Sequence, residues 1–154
     1  MEHSYLMVAG DKQKYLDKIP ALKSDVVMIN LEDGVYDKKF ARELLLKNYE
    51  KKLLKVSNKK VVVRVNELNG VGKIDIEVIN KLKPDAIRVP KIKDIKDVKK
   101  ALALIDNDIE VHLSIETKEA FNNITNFNID NRVTTVYLGI LDLLESLGLP
   151  QSLV

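Results

Sequence analysis

The chain contains no cysteine. Disulfide bridges, thiolate metal sites and cysteine nucleophiles are therefore excluded, and the absence fits a reducing compartment. Long hydrophobic runs are missing too: nothing approaches the roughly 20 apolar residues that carry a helix across a bilayer. The opening Met1-Glu2-His3-Ser4-Tyr5 has no basic stretch leading into an apolar core, so no secretory leader is read there and the cytoplasm is the expected address. Nor is there an excess of charge of one sign. The 25 basic and 23 acidic residues leave a formal charge of +2, which gives no footprint for nucleic acid. Lysines dominate the basic set and fall mostly in helical patterns, where they read as solvated faces. Proline- or glycine-rich linkers and low-complexity tracts are absent, and residues 1–154 are read as a single domain.

What is present is a regular alternation. Six short runs, at residues 5–9, 25–31, 60–66, 85–90, 109–115 and 133–139, read as buried strands. Val61-Val62-Val63 and Val26-Val27-Met28-Ile29 are continuous in apolar character, as in parallel strands covered by helices on both faces. Between them lie helical patterns. Residues 40–55 set Phe40, Leu44, Tyr49 and Leu53 at helical spacing. Residues 94–105 align Ile95, Val98, Leu102 and Ile105, and residues 117–126 align Ala120, Phe121 and Ile124. Residues 141–154 read as a short helix stopped by Gly148 and Pro150. Gly70 and Gly72 lack the spacing of a phosphate loop and read as a flexible loop after the third strand. The centres of the last four strands, near Val63, Arg88, His112 and Val136, are 24 or 25 residues apart. That period is the signature of repeated βαβ units, which build either a parallel barrel or an open doubly wound sheet. The predicted class is α/β, a parallel (β/α) barrel of the TIM type with six of its eight strands present. A complete barrel takes about 250 residues.

In such a barrel the functional side chains gather where strands end and loops begin. Charged groups stand at nearly all of those positions: Asp11, Glu32 and Asp33, Arg64, Lys91, Glu116 and Asp142. Glu116 and Asp142 come from adjacent strand ends, and Mg²⁺ takes one or two carboxylates together with waters and substrate oxygens. The same two positions also suit caps for the helices that follow. Arg64 offers a planar fork for a carboxylate or carbonyl oxygen. An arginine beside a divalent cation can stabilise an enolate. His112, inside a strand, reads as a packed or hydrogen-bonded histidine, and the role of His3 is open.

The strand ends also carry motifs in a recognisable order. Ser4-Tyr5-Leu6-Met7-Val8-Ala9-Gly10-Asp11, Asn30-Leu31-Glu32-Asp33-Gly34-Val35, Val63-Arg64-Val65-Asn66, Val89-Pro90-Lys91-Ile92, Ile115-Glu116-Thr117 and Gly139-Ile140-Leu141-Asp142-Leu143 together resemble the citrate lyase beta-subunit family, within the HpcH/HpaI aldolase group. The resemblance implies a TIM-type barrel that breaks or forms carbon–carbon bonds in 2-oxo acids or in acyl thioesters such as citryl or malyl thioesters of coenzyme A or acyl carrier protein. It implies Mg²⁺ at Glu116 and Asp142 and an oxo acid held by Arg64. It further implies Glu32 and Asp33 as supporting catalytic carboxylates, and Asn66 and Lys91 on the substrate side. Other lyase subunits and a homo-oligomer are the implied protein partners, the latter also because two missing strands would leave sheet edges unpaired.

Departures from the family pattern occur at His3, where an arginine is usual, at Asn30, where an acid is usual, and at Ile140 and Leu141 ahead of the last acid. They remove charge and add bulk beside the implied metal. Three readings follow: a Mg²⁺-dependent lyase or aldolase; a degenerate barrel that binds a small acid, a thioester or a protein partner without turnover; and an open doubly wound domain that binds a phosphorylated ligand.

Overall fold

The computed structural model describes residues 4–50 and 59–153. His3 and the end of the helix expected over residues 40–55 lie outside the described residues. The strands are β1 (Tyr5–Ala9), β2 (Val26–Asn30), β3 (Lys60–Arg64), β4 (Ala86–Val89), β5 (Glu110–Ile115) and β6 (Val133–Leu138). The helices are α1 (Gln13–Leu16), α2 (Lys38–Glu50), α3 (Gly72–Leu82), α4 (Ile95–Leu104), α5 (Lys118–Asn123) and α6 (Ile140–Ser146), joined by short 3₁₀ turns. No helix among the described residues is long and apolar enough to cross a membrane.

All strand pairs are parallel and the sheet order is β1-β2-β3-β4-β5-β6. Each strand is added beside the last, with no reversal of order. A doubly wound sheet needs such a reversal at its ligand crevice, so that reading is overturned. Side-chain parity says the same. Val27, Ile29 and Leu31, Val61, Val63 and Val65, Ile87 and Val89, and Val111, Leu113 and Ile115 all pack into one core with the helices. The alternate residues Val26, Met28, Val62 and Ala86 form a separate apolar patch with Tyr137 on the other face. Helices therefore cover one face only, not both as the continuous apolar runs suggested. The second face is the inside of a curled sheet: Tyr5 of β1 and Tyr137 of β6 meet edge to face with ring centroids 6.0 Å apart. This is the arc of a TIM-type barrel.

Of the segment expected to be a loop, residues 69–71 form a turn and Gly72 opens α3. Gly72 is the first residue of that helix and is buried. A Cβ there would lie 2.2 Å from the Asn66 carbonyl oxygen and 2.5 Å from that of Glu67, so only glycine lets the helix start so close to β3. Two apolar stripes are met except at one described position each: Leu44, Tyr49, Ala120 and Ile124 pack on the core, while Phe40 and Phe121 do not. In α2 the buried residues include Ala41, Leu44 and Leu45, while Phe40 is 48% exposed; in α5 Ala120 is buried and Phe121 faces solvent. Asp94 caps α4 by accepting from the amides of Lys96 and Asp97.

One buried polar network ties α2 and α3 to the ends of β2 and β3. Asp75 of α3 is fully buried. Its Oδ1 accepts from Arg42 at 2.7 Å, and its Oδ2 accepts from the Asn66 amide at 2.8 Å and from Asn66 Nδ2 at 2.6 Å. Asn66 Nδ2 also donates to the Leu31 carbonyl at 2.9 Å. Asp75→Ala leaves Arg42 and Asn66 without their acceptor and is expected to cost about 3–5 kcal/mol. Urea unfolding checks this, and a loss below about 1 kcal/mol would mean the network does not hold the two layers together.

Candidate active site at the C-terminal rim of the sheet

Arg64 is the last residue of β3, and its side chain is 11% exposed. It forms a close ion pair with Glu32 and lies 3.5 Å from an Asp33 carboxylate oxygen and 3.6 Å from one of Glu116. Its Nε is buried with no hydrogen-bond partner in the protein. A buried donor left open in this way is rare in a folded protein.

The turn after β2 sets the acid partners. Asn30 Oδ1 accepts from the Glu32 amide at 3.2 Å, while its Nδ2 donates to the Asp33 carbonyl at 2.6 Å. A carboxylate at this position could accept but not donate. Lys38 Nζ donates to the Leu31 carbonyl at 3.0 Å and to that of Glu32, closing the same turn. Burial pushes the Glu32 carboxyl above its ordinary value, Asp33 and Glu116 push the same way, and Arg64 opposes them.

Glu116 follows β5 and is 4% exposed. It does not cap the next helix: Thr117 does, accepting from the Ala120 amide at 3.1 Å. Glu116 instead lies across the backbone at the end of β6, where a Cβ on Gly139 would come within 2.6 Å of its Cγ. Gly139 is also the N-cap position of α6 and makes no side-chain cap bond. Asp142 is exposed in the first turn of that helix, as a charge facing its dipole rather than a cap. The close approach at Gly139 thus brings the two carboxylate-bearing segments together.

Asp33, Glu67, Lys91, Asp97, Glu116 and Asp142 line one cavity of about 360 Å³. Lys91 has a left-handed backbone (φ 53°), unusual without glycine, and its Nζ is 3.9 Å from Glu67. Asn66, Glu32 and Arg64 do not line this cavity, and Asn66 Nδ2 is engaged by the Asp75 carboxylate and the Leu31 carbonyl. Ile140 and Leu141 stand largely exposed beside Asp142. His112 is packed inside the sheet, with Nδ1 3.1 Å from the Tyr137 hydroxyl and Nε2 3.3 Å from Glu110.

Among the described residues, no group of three or more His, Asp and Glu side chains forms a ready-made metal cage. Two carboxylates on a shared cavity are the donor set of a hard cation that keeps waters and takes substrate oxygens, which fits Mg²⁺ better than Zn²⁺. Sequence reasoning missed the dual role of Asn30, the cradle at Gly139 and the inward-facing Arg88. Only Arg88 carried a visible signal, a charge inside the apolar run Ala86-Ile87-Arg88-Val89.

A family model described as HpcH/HpaI aldolase/citrate lyase matches residues 3–153. The chain is 30% identical over 147 residues to a (3S)-malyl-CoA thioesterase of Cereibacter sphaeroides, covering 94% of this chain and 51% of that protein. Over 99 residues it is 30% identical to the mitochondrial citramalyl-CoA lyase of Mus musculus, covering 61% and 29%. Its structure resembles that of the citrate lyase beta subunit from M. tuberculosis complexed with oxaloacetate and magnesium, with a TM-score of 0.77 at 22% identity over 96% of this chain and 62% of that one. It is also similar to the protein CitE from Mycobacterium tuberculosis in complex with magnesium, acetoacetate and coenzyme A (TM-score 0.76, 23% identity, 97% and 53% covered). The chain spans about half the length of the malyl-CoA thioesterases it matches. With the matched span running through all six strands and the fold shared with these structures, the chain belongs to the HpcH/HpaI aldolase/citrate lyase family.

Proposed function

We propose that the rim carries a Mg²⁺-dependent carbon–carbon lyase or aldolase site of the citrate lyase beta-subunit type, acting on a 2-oxo acid or an acyl thioester. The observation that carries this reading is Glu116, which lies 3.6 Å from the buried Arg64 on one side and shares a cavity with Asp142 on the other. Relatives named for malyl-CoA and citramalyl-CoA chemistry, and similar structures complexed with magnesium and oxo acids, support it.

Glu116 and Asp142 would hold Mg²⁺, which when bound supplies a Lewis acid for a substrate carbonyl. The chain's own groups do the rest. Arg64, its guanidinium fixed by its acid partners, donates from Nε to the oxo acid and offsets negative charge there. Glu32 keeps a proton to higher pH than an ordinary carboxyl, so it is the group beside Arg64 best suited to exchange one with the substrate hydroxyl. Asp33 on the exposed rim tunes both. Lys91 stands at the cavity mouth, and Asn66 acts by holding the β3 end in place.

A second reading, binding without turnover, draws on the exposed apolar Ile140 and Leu141 beside Asp142 and on the small ligand set. Calorimetric titration of Mg²⁺ with and without oxaloacetate, followed by product assays on malyl and citramalyl thioesters, separates the two. Mg²⁺ binding that strengthens with oxaloacetate and is lost in Asp142→Asn, at a stability within about 0.5 kcal/mol of the parent, is the expected result; unchanged affinity in that variant removes the metal assignment. Binding without any product on either thioester favours the second reading. Gly139→Ala pushes Glu116 out of its cradle and is expected to weaken Mg²⁺ binding by about 10–100-fold, as loss of a ligand's support does.

The Glu32 carboxyl is expected to titrate above 4.5 by carbon-detected NMR. Because the unfolded chain releases that proton first, Glu32 costs the fold stability as the pH rises from 4.5 through its folded titration range. A midpoint at or below 4.5 would show that Arg64, not burial, governs it.

A further inference from the structure

Asn69-Gly70 is the one Asn-Gly pair in the sequence, and every other asparagine precedes a larger residue. Both residues are exposed. They end the turn after β3, where the Gly70 amide donates to the Glu67 carbonyl at 3.1 Å. That carbonyl also accepts from the Gly72 amide at 3.2 Å, so it keeps a partner when Gly70 lets go. The fold does not demand glycine at position 70. A Cβ there would meet nothing nearer than 3.7 Å, against 2.2 Å at Gly72, and its φ is not positive.

The Asn69 side chain is held from the other side. Lys100 of α4 donates from Nζ to Asn69 Oδ1 at 2.9 Å. An ammonium on an amide oxygen draws electrons from the carbonyl carbon and stabilises the oxyanion that forms when that carbon is attacked. The attacking group in reach along the chain is the backbone nitrogen of Gly70. With no Cβ beside it, nothing crowds its approach. Asn69 also lines the rim cavity, whose walls hold five carboxylates against two lysines, Lys91 and Lys93.

The geometry points to Asn69 as a self-modification site, whose side-chain amide is converted to a carboxylate in the folded chain with Gly70 as nucleophile, Lys100 as electrophilic assistant and water as co-reactant. The Gly70 nitrogen gives its proton to water and attacks Asn69 Cγ. The new C–N bond closes a succinimide ring. The Cγ–Nδ2 bond breaks, and Nδ2 takes up a proton and leaves as ammonia. Water then adds to one of the two imide carbonyls and opens the ring to aspartate or isoaspartate. The sum is amide plus water to acid plus ammonia, with nothing oxidised or reduced. The product pairs with Lys100 as an ion pair and adds a sixth carboxylate to the cavity walls. This site stands independently of the metal and substrate reading of the rim.

The test is to age the full folded chain in warm neutral buffer and follow each asparagine by peptide mass spectrometry, with aspartyl and isoaspartyl peptides separated by chromatography. Position 69 is expected to convert at least about tenfold faster than any other asparagine. Gly70→Ala, which fits without a clash, is expected to keep the fold and slow the conversion by about tenfold or more. Lys100→Met is expected to slow it about three- to tenfold, the rate equivalent of one hydrogen bond, and Lys100→Arg to restore most of the loss. In urea the difference between the parent and Lys100→Met is expected to vanish, since Lys100 and Asn69 are 31 residues apart in sequence. Conversion at position 69 no faster than elsewhere, an equal rate in Gly70→Ala, an equal rate in folded Lys100→Met, or a Lys100→Met difference that persists in urea each overturns the proposal.

Discussion

Every feature of the rim depends on a constraint of the parallel sheet: alternate residues face opposite ways, and six strands are stacked in sequence order with the same parity from β2 to β5. Once Val27, Val63, Ile87 and Leu113 are committed to the helices, Asn30, Arg64, Arg88 and His112 have no choice but the inner face. The apolar residues thereby decide where the polar ones go. A one-residue slip in β3 or β4 would put an arginine into the helix-packed core and an apolar residue in its place.

The inner face is then an electrostatic problem. Arg64 is buried, and three carboxylates around it make that burial tolerable. Glu32 shows the other side of the balance: crowded by Asp33 and Glu116 and cut off from water, it holds its proton more tightly in spite of the arginine. The rim thus sets a guanidinium nitrogen without a hydrogen-bond partner beside a carboxyl whose pKa burial raises. Arg88, one strand away, has the same charge but makes no ion pair among the described residues, Glu116 and Glu32 reaching it only through their field. The difference between the two arginines comes from what the strand ends supply, since only the loops after β2 and β5 carry acids close enough.

The departures from the family pattern take on physical meaning in the structure. Asn30 lacks the charge of the usual acid, yet it donates and accepts within one turn and so holds Glu32 and Asp33 in place. Ile140 and Leu141 have no such compensation and leave apolar surface beside Asp142. Gly139, by contrast, is needed because Glu116 lies against its backbone.

The sequence by itself determined the parallel six-strand order, the strand positions to within about two residues, and the family, because buried β-branched runs at a fixed period and polar motifs at their ends are local signals. It also placed Arg64, Glu32, Asp33, Glu116, Lys91 and Asp142 at strand ends, the common rim of such a sheet. Short-range reasoning failed where contacts between distant segments decide. Gly72 looked like loop because nothing nearby in sequence shows that the carbonyls of Asn66 and Glu67 would press on a side chain there. Phe40 and Phe121 fell outside the stripes expected of α2 and α5 because only docking on the sheet decides which edge of a helical stripe is buried. Asn66 stood beside Arg64 in its motif, but Asp75, nine residues on, claimed its amide. Which face a side chain reaches, which acids an arginine meets and whether a cavity stays open depend on the curl that brings Tyr5 to Tyr137, and curl is a property of the assembled sheet rather than of any strand in it.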